Sequence, residues 1–356
     1  MVVAPFSPGF SIDGYLISEH SPPFIVAEFS GNHCHDFSVV KKMIDAAAAC
    51  GVNAIKLQTY TADTITLDSQ NEEFQITESS SLWQGETLYS LYKKAHTPWS
   101  WHQAVFELAR KKGLTAFSSP FDESSVDFLE SLDVPCYKIA SFELNHFPLL
   151  KAVARTKRPV ILSTGMARLE EIDEAVDYLA GHGCRQLALL KCTSCYPAPV
   201  SAANLKTMQD MKHRFGVPIG LSDHSRGIGV SLLAAGLGAS IIERHFVLDR
   251  NTEAVDGAFS STPDEMALLV QESQDLNLAI GKVSYGPTES EMDSLKYRRS
   301  IYVCKPLESG MRITKDNIRV VRPGFGLAPR FYEAVLGRKL KVAKAVNTPL
   351  LESDLD

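Results

Sequence analysis

The stretch at 217–246, VPIGLSDHSRGIGVSLLAAGLGASIIERHF, decides how the chain folds. Its two apolar runs, 217–221 and 239–246, are continuous, as strands covered on both faces should be. Between them, 227–237 carries a helical pattern. The order is strand, helix, strand within about 30 residues, the arithmetic of a parallel βαβ crossover. Both runs finish on polar side chains: Ser222, Asp223 and His224 after the first, Glu243 and His245 within the second.

The same unit recurs outward from this stretch. Strand-like runs stand at 24–28, 53–58, 114–118, 136–141, 159–163 and 187–192, which with the two above makes eight. Helical patterns follow each, around 37–50, 98–112, 123–132, 147–156, 169–181, 202–213, 227–237 and 263–280. Thr97-Pro98 and Thr262-Pro263 read as caps with proline at the first helical position. Eight βα units in roughly 260 residues predict an α/β fold, a (β/α)8 TIM barrel. A doubly wound open sheet rarely needs eight units, and no glycine-rich GxGxxG follows the first strand. After Lys282 the composition turns polar from Gly286-Pro287 to Tyr297, then short strands and turns begin: 300–304, 308–310, 318–321 and 323–326. We therefore expect a barrel over 1–283, a linker over 284–298 and a small, mostly β domain over 299–356. About 58 residues give that last domain little core of its own, so it should lean on another surface.

Of 356 residues, 45% are hydrophobic and 22% charged, which excludes disordered and fibrous classes. The longest apolar run, 230–242, contains two glycines and is too short for a membrane span. The opening residues, MVVAPFSPGF, carry neither a basic region nor the apolar core of a signal peptide. We expect a cytoplasmic protein with no membrane partner. A net charge of -6 argues against nucleic acid as a partner, although a local basic pocket can still hold an anion. Seven scattered cysteines point to free thiols in a reducing compartment. Cys192 and Cys195 form one CxxC, but no second pair completes a zinc site, and Tyr196-Pro197 breaks the redox context.

In such barrels the chemistry sits at the carboxyl ends of the strands. All eight end in polar residues here, among them Glu28, Lys56, Gln58, Ser119, Lys138, Ser141, Glu143, Ser163 and Lys191. Lys56 and Lys138 lie inside apolar strands, where an unpaired ammonium is costly. Each must meet a carboxylate, Glu28 for instance, or an anionic ligand. Hydroxyls at Ser119, Ser141 and Ser222 suit phosphate or carboxylate oxygens. His224 and His245 end adjacent strands, and two imidazoles with oxygens from Glu28 or water suit Mn2+, Zn2+ or Fe2+. The segment 82–102 holds all three tryptophans, Trp83, Trp99 and Trp101, with Tyr89 and Tyr92. The near-helical spacing of Leu82, Tyr89 and Tyr92 fits packing; the alternative is an aromatic surface above the mouth, on which sugars stack.

Taken together, these residues resemble a known family, the sialic acid synthases, which are phosphoenolpyruvate-dependent nonulosonate synthases. The resemblance rests on Ala27-Glu28 with Asn32-His33, Ile55-Lys56-Leu57-Gln58-Thr59, Ser119-Pro120-Phe121, and Tyr137-Lys138-Ile139-Ala140-Ser141 with Glu143. It continues through Cys192-Thr193 with Tyr196-Pro197, Gly220-Leu221-Ser222-Asp223-His224, Ile242-Glu243-Arg244-His245-Phe246 and Arg298-Arg299-Ser300. Arg322-Pro323-Gly324 with Gly326-Leu327 is similar to the family's antifreeze-like (SAF) domain. Within the family, Leu82-Trp83, Thr97-Pro98-Trp99, Trp101-His102 and Lys191-Cys192-Thr193-Ser194 look most like the pseudaminic acid synthases. Ser194 stands where neuraminate synthases usually have Asn.

The resemblance implies a C–C bond-forming transferase acting on phosphoenolpyruvate and an amino sugar. Lys56, Ser119, Lys138, Ser141, Ser194 and Ser222 would hold phosphoenolpyruvate. His224 and His245 would bind a divalent ion, Mn2+ first, with Mg2+ or Co2+ as alternatives. Gln58, Tyr196 and Asp256 would face the open-chain sugar, and Arg322 would reach it from the partner subunit of a domain-swapped homodimer. Glu28 and Glu143 would assist water and proton transfer, with His245 also in the catalytic set. Rival readings are a Schiff-base aldolase using Lys56 or Lys138, and a non-catalytic carbohydrate- or ice-binding protein built around the tail.

Overall fold

The computed structural model describes residues 6–77 and 81–356. Eight parallel strands close into a barrel, following one another around it in chain order, the last pairing with the first. They are β3 (Phe24–Glu28), β4 (Ala54–Thr59), β5 (Thr115–Pro120), β6 (Tyr137–Ile139), β7 (Val160–Ser163), β8 (Leu187–Cys192), β9 (Ile219–Asp223) and β10 (Ile241–His245). These are the eight runs expected from sequence, most shifted by one or two residues. At 136–141 the strand stops at Ile139 because Ser141–Glu143 turns into a 3-10 helix. The seam pairs β10 with β3 in parallel, with His245 opposite Glu28.

Helices follow the strands, and local chemistry starts several of them. Asp36 accepts a hydrogen bond from Ser38 N to open Phe37–Ala49. Asp122 and Ser125 cap Glu123–Ser131 reciprocally. Thr262 N donates to Glu265 Oε2 at 3.1 Å, with Pro263 first in the helix Pro263–Ile280. The expected helix over 98–112 opens instead with a 3-10 turn, Trp99–Trp101, before His102–Lys111. Among the described residues, no helix is long and apolar enough to cross a membrane.

One element was not anticipated. A hairpin of β1 (Phe10–Ile12) and β2 (Tyr15–Ile17) turns at Asp13-Gly14, both with positive φ, 50° and 86°. Its Phe10, Ile12 and Ile17 join a buried cluster with Phe24, Val26, Ala54, Phe117, Cys136, Ile161, Ala188, Leu190 and Ile241. Those strand residues alternate with Ile25, Ala27, Ile55 and Ala116, which pack among the helices in a separate cluster. The hairpin therefore plugs the amino-terminal end of the barrel, and the lower interior is a filled apolar layer.

The chain divides into two compact units, one through Gly281 and one at Lys282–Asp356. In the second, β11 (Ser300–Val303) and β12 (Ile318–Val321) pair antiparallel, Ser300 opposite Val321. A nine-residue 3-10 helix, Glu289–Tyr297, precedes them where a linker was expected. Despite its size this unit holds a buried cluster of its own, including Ile301, Val303, Ile313, Ile318, Leu340 and Leu350.

Candidate active site

Side chains alternate along a strand, so the positions two beyond the apolar layer also face the barrel axis, nearer the mouth. There the residue types change from hydrocarbon to charge. Glu28, Lys56, Lys138 and Glu243 are 1%, 3%, 2% and 6% exposed. Lys56 Nζ lies 2.5 Å from Glu28 Oε2 and 3.8 Å from Glu243 Oε2. Lys138 Nζ is 3.6 Å from Glu243 Oε1. Two cations and two anions thus balance in one buried layer, the arrangement that makes burial of each tolerable. Burial opposes charge on Glu243, but Lys138 and Lys56 outweigh it and hold this carboxyl below its usual range. Burial lowers Lys138, and Glu243 only partly restores it.

Hydroxyls surround this quartet. Lys56 Nζ donates to Ser119 Oγ at 3.0 Å, and Ser222 Oγ donates to Glu243 Oε1 at 3.1 Å. Gln58 Nε2 donates to Glu28 Oε1 at 3.0 Å. Gly165 N donates to Ser141 Oγ at 3.1 Å, and a Cβ on Gly165 would collide with the hydroxyls of both Ser194 and Ser141. The absence of a Cβ at Gly165 leaves room for both serine hydroxyls beside its backbone, where Ser141 accepts from the N–H. Ser163 Oγ is buried without a hydrogen-bond partner. Glu143, on the 3-10 turn after β6, has Oε2 buried and unpartnered; burial pushes its carboxyl up to about 7.

Beside the quartet stands an imidazole corner. The rings of His224 and His245 are 5.3 Å apart, and Tyr196 lies 4.5 Å from His224. His224 Nδ1 is 3.1 Å from Thr193 O; a carbonyl can only accept, so Nδ1 carries a proton. Burial opposes charge on this ring, but Cys192 and the Thr193 carbonyl outweigh it and hold His224 above its usual range. His245 Nδ1 is buried with no hydrogen-bond partner, and Asp256 Oδ2 is 3.6 Å away. Burial, then the neighbouring His224 and Lys56, keeps His245 neutral. Asn32 ties the corner together: its Oδ1 accepts from Asp256 N at 3.0 Å, and its Nδ2 donates to Phe246 O at 2.8 Å. Ser30 donates to Asp256. Among the described residues, no three His, Cys, Asp or Glu side chains gather closely enough to hold an ion unaided. Glu28, expected as an oxygen donor beside the histidines, has its oxygens committed to Lys56 and Gln58.

The structure therefore gathers Glu28, Lys56, Gln58, Ser119, Lys138, Ser222 and Glu243 in one layer, and Tyr196, His224, His245 and Asp256 in the adjoining corner. Arg322 belongs to the second unit, where it is exposed. The tryptophans split. Trp83 packs 6.2 Å from Tyr196 and donates from Nε1 to Val255 O, so it lies at the mouth. Trp99 stacks on Phe128, and Trp101 packs against Phe37 and His33. The helix here is Leu88–Ala95, which leaves Leu82 outside it and exposed. The sequence places Glu243, Gly165, Ser30 and Asn32 at strand ends, but its pattern assigns none of them a role. Cys192 also faces inward, 3.9 Å from His224 Nδ1, whereas Cys195 is exposed; the CxxC pair shares no face.

A closed barrel with paired charges at its carboxyl end, followed by a small β unit, defines the class: a barrel enzyme with a C-terminal accessory domain. Residues 43–285 match the NeuB family and 298–356 match the SAF domain, and the chain belongs to the NeuB family. It is 40% identical to the pseudaminic acid synthase of Helicobacter pylori over 94% of this chain and 98% of that one. It is 39% identical to the pseudaminic acid synthase of Campylobacter jejuni, over 93% and 96%. Among solved structures, N-acetylneuraminic acid synthetase from Leptospira borgpetersenii, in complex with citrate, superposes with a TM-score of 0.72 at 33% identity, covering 81% of this chain and 95% of that one.

Proposed function

We propose that the protein is a pseudaminic acid synthase, a C–C bond-forming transferase. Phosphoenolpyruvate condenses with 2,4-diacetamido-2,4,6-trideoxy-β-L-altropyranose and water, giving pseudaminic acid and phosphate. The observation that carries this reading is the buried layer of Lys56, Lys138, Glu28 and Glu243 beside two imidazoles. The similarity to the Helicobacter and Campylobacter synthases supports the choice of sugar.

In this reading Lys56 and Lys138 clamp the phosphoenolpyruvate anion, and Ser119, Ser141, Ser194 and Ser222 donate to its oxygens. Gln58, Tyr196 and Asp256 orient the open-chain sugar so that its aldehyde carbon meets the methylene carbon of phosphoenolpyruvate. As the enol π electrons form the new C–C bond, the aldehyde π pair moves to its oxygen, which takes a proton; positive charge develops at the enol carbon, and Glu143 positions the water that adds there. Its carboxylate accepts the water proton, and the tetrahedral centre expels phosphate by C–O cleavage. Glu28 relays protons beside Lys56. The unpartnered His245 Nδ1, with the neighbouring His224 ring 5.3 Å away, fits a divalent ion, Mn2+ by preference, with Mg2+ or Co2+ as alternatives. Such an ion supplies Lewis-acid polarisation of the aldehyde when bound.

We further assign the barrel to 1–283, a linker to 284–298 and the SAF domain to 299–356. The working form is a cytoplasmic, domain-swapped homodimer in which Arg322 serves the partner's sugar site. The deciding experiment is phosphate release from phosphoenolpyruvate with a panel of amino sugars, with and without chelator. Turnover of the diacetamido-altrose alone supports the assignment. Preference for N-acetylmannosamine would make the protein an N-acetylneuraminate synthase, and no release with any sugar would overturn the synthase reading. Mixing inactive His245→Ala and Arg322→Ala subunits should restore roughly a quarter of wild-type activity if sites are shared. No recovery would reject the swap.

A further inference from the structure

Arg244 and Asp223 carry buried charge that the proposed reaction does not use. Arg244 is 1% exposed and the largest fully buried side chain; Asp223 is 5% exposed. They stand opposite each other on β10 and β9, one residue after the opposed pair Glu243 and Ser222. By alternation they point outward, into the layer between barrel and helices. The next residues on each strand turn inward again, and they are His245 and His224.

The contacts of the guanidinium run to both histidine segments. Its Nη1 pairs with Asp223 and donates to Ser231 Oγ at 3.1 Å. Its Nη2 donates at 2.7 Å to the carbonyl of Ser225, the residue after His224. Its Nε donates at 2.7 Å to Ser261 Oγ. Ser261 in turn donates from its backbone N–H to the carbonyl of His245 at 2.7 Å. Asp223 closes the other side by accepting from Ser225 N at 2.8 Å. One planar group thus grips the chain just beyond His224 and the segment that buttresses His245. A buried ion pair adds little stability over well-packed apolar residues of similar size, so stability alone is a weak reason for it. A rigid fork that fixes three directions at once is what arginine supplies and lysine does not.

We infer that Arg244, with Asp223, is a positioning residue that sets the spacing of the His224 and His245 imidazoles for a shared divalent ion. This rests on the reading of those two histidines as metal ligands. The full-length enzyme, stripped of metal, is titrated with Mn2+ while free Mn2+ is followed by electron paramagnetic resonance. Thermal unfolding is recorded in chelator alongside. The variants are Arg244→Lys, which keeps charge but loses the fork, and Asp223→Asn/Arg244→Met, which removes both charges and leaves no unpaired ion. His102→Phe serves as a control; it breaks another outward-facing polar network, His102–Thr59–Ser118, on strands that carry neither histidine. Expected is a loss of about 10- to 100-fold in Mn2+ affinity for both Arg244 variants, with His102→Phe binding as wild type. The inference is overturned if either Arg244 variant binds Mn2+ as wild type does, or if His102→Phe loses affinity equally at an equal drop in unfolding temperature. If His224→Ala and His245→Ala bind Mn2+ like wild type, the metal reading itself fails, whatever Arg244 does.

Discussion

The lower and upper interiors of the barrel come from the same strands, two residues apart, and hold opposite chemistry. Below, Phe24, Val26, Phe117 and Ile161 meet the hairpin's Phe10, Ile12 and Ile17 in a layer without charge. Above, Glu28, Lys56, Lys138 and Glu243 sit almost as deeply buried. The apolar floor keeps water from entering from beneath, so charges in the upper layer act on one another at low dielectric. That same dryness makes each charge dependent on its partner. The floor should therefore govern stability and the upper layer turnover.

The hardest blow to the upper layer is Lys138→Met. It leaves Glu243 with Lys56 as its only neighbouring ammonium and removes half of the proposed anion clamp. We expect about a 1,000-fold fall in kcat/KM, carried mostly by the KM for phosphoenolpyruvate. Lys138→Arg should rescue poorly, because a planar fork does not replace a compact ammonium. Steady-state kinetics in both substrates checks this, and borohydride with pyruvate should trap no adduct at either lysine. An adduct would turn the clamp into a Schiff-base site.

Next in size is the imidazole corner. His245→Ala should cost about two orders of magnitude or more in turnover, and chelation of the wild type should cost as much. Full activity after verified metal removal would separate the corner from the chemistry. Glu143→Gln follows, with a loss of about 100-fold for a missing base. Burial raises the Glu143 carboxyl to about 7, so its carboxylate fraction grows as pH rises from 6 to 8. The rate should climb through that window in wild type and stay flat in Glu143→Gln. A limb unchanged in the variant would assign the titration to another group.

How far the contrast was readable beforehand differs between the layers. All eight strands were legible, because strands buried on both faces leave continuous apolar runs. Their polar ends were legible too, but which of those residues share a face was not drawn from the pattern. In Ser222-Asp223-His224 the period of two puts Asp223 outside the barrel, and likewise Arg244 between Glu243 and His245. The pairing of Glu243 with both lysines joins β10 to β4 and β6, strands that are not its neighbours, and no local pattern reports such a contact. The hairpin escaped because three-residue strands are too short to stand out as apolar runs. Asp13-Gly14, a dipeptide favoured in two-residue hairpin turns, was the available signal.

The smallest expected effect on activity comes from the floor, and it is the sharpest test of the contrast. Ile12 is 0% exposed at the end of β1, packed in the cluster that seals the barrel. Truncation in Ile12→Ala removes buried hydrocarbon and leaves a cavity, which in a filled core costs about 2–5 kcal/mol. Denaturant unfolding should show that loss as a lower midpoint with an unchanged slope. The charged layer is held by its own ion pairs and hydroxyl contacts rather than by Ile12. At 25 °C, under conditions where the variant remains folded, kcat and both KM values should stay within about twofold of wild type. A midpoint drop with kinetics intact would establish two layers with separable duties. If kcat fell alongside stability, the hairpin would be steering the charges above it, and floor and site would have to be treated as one packed unit.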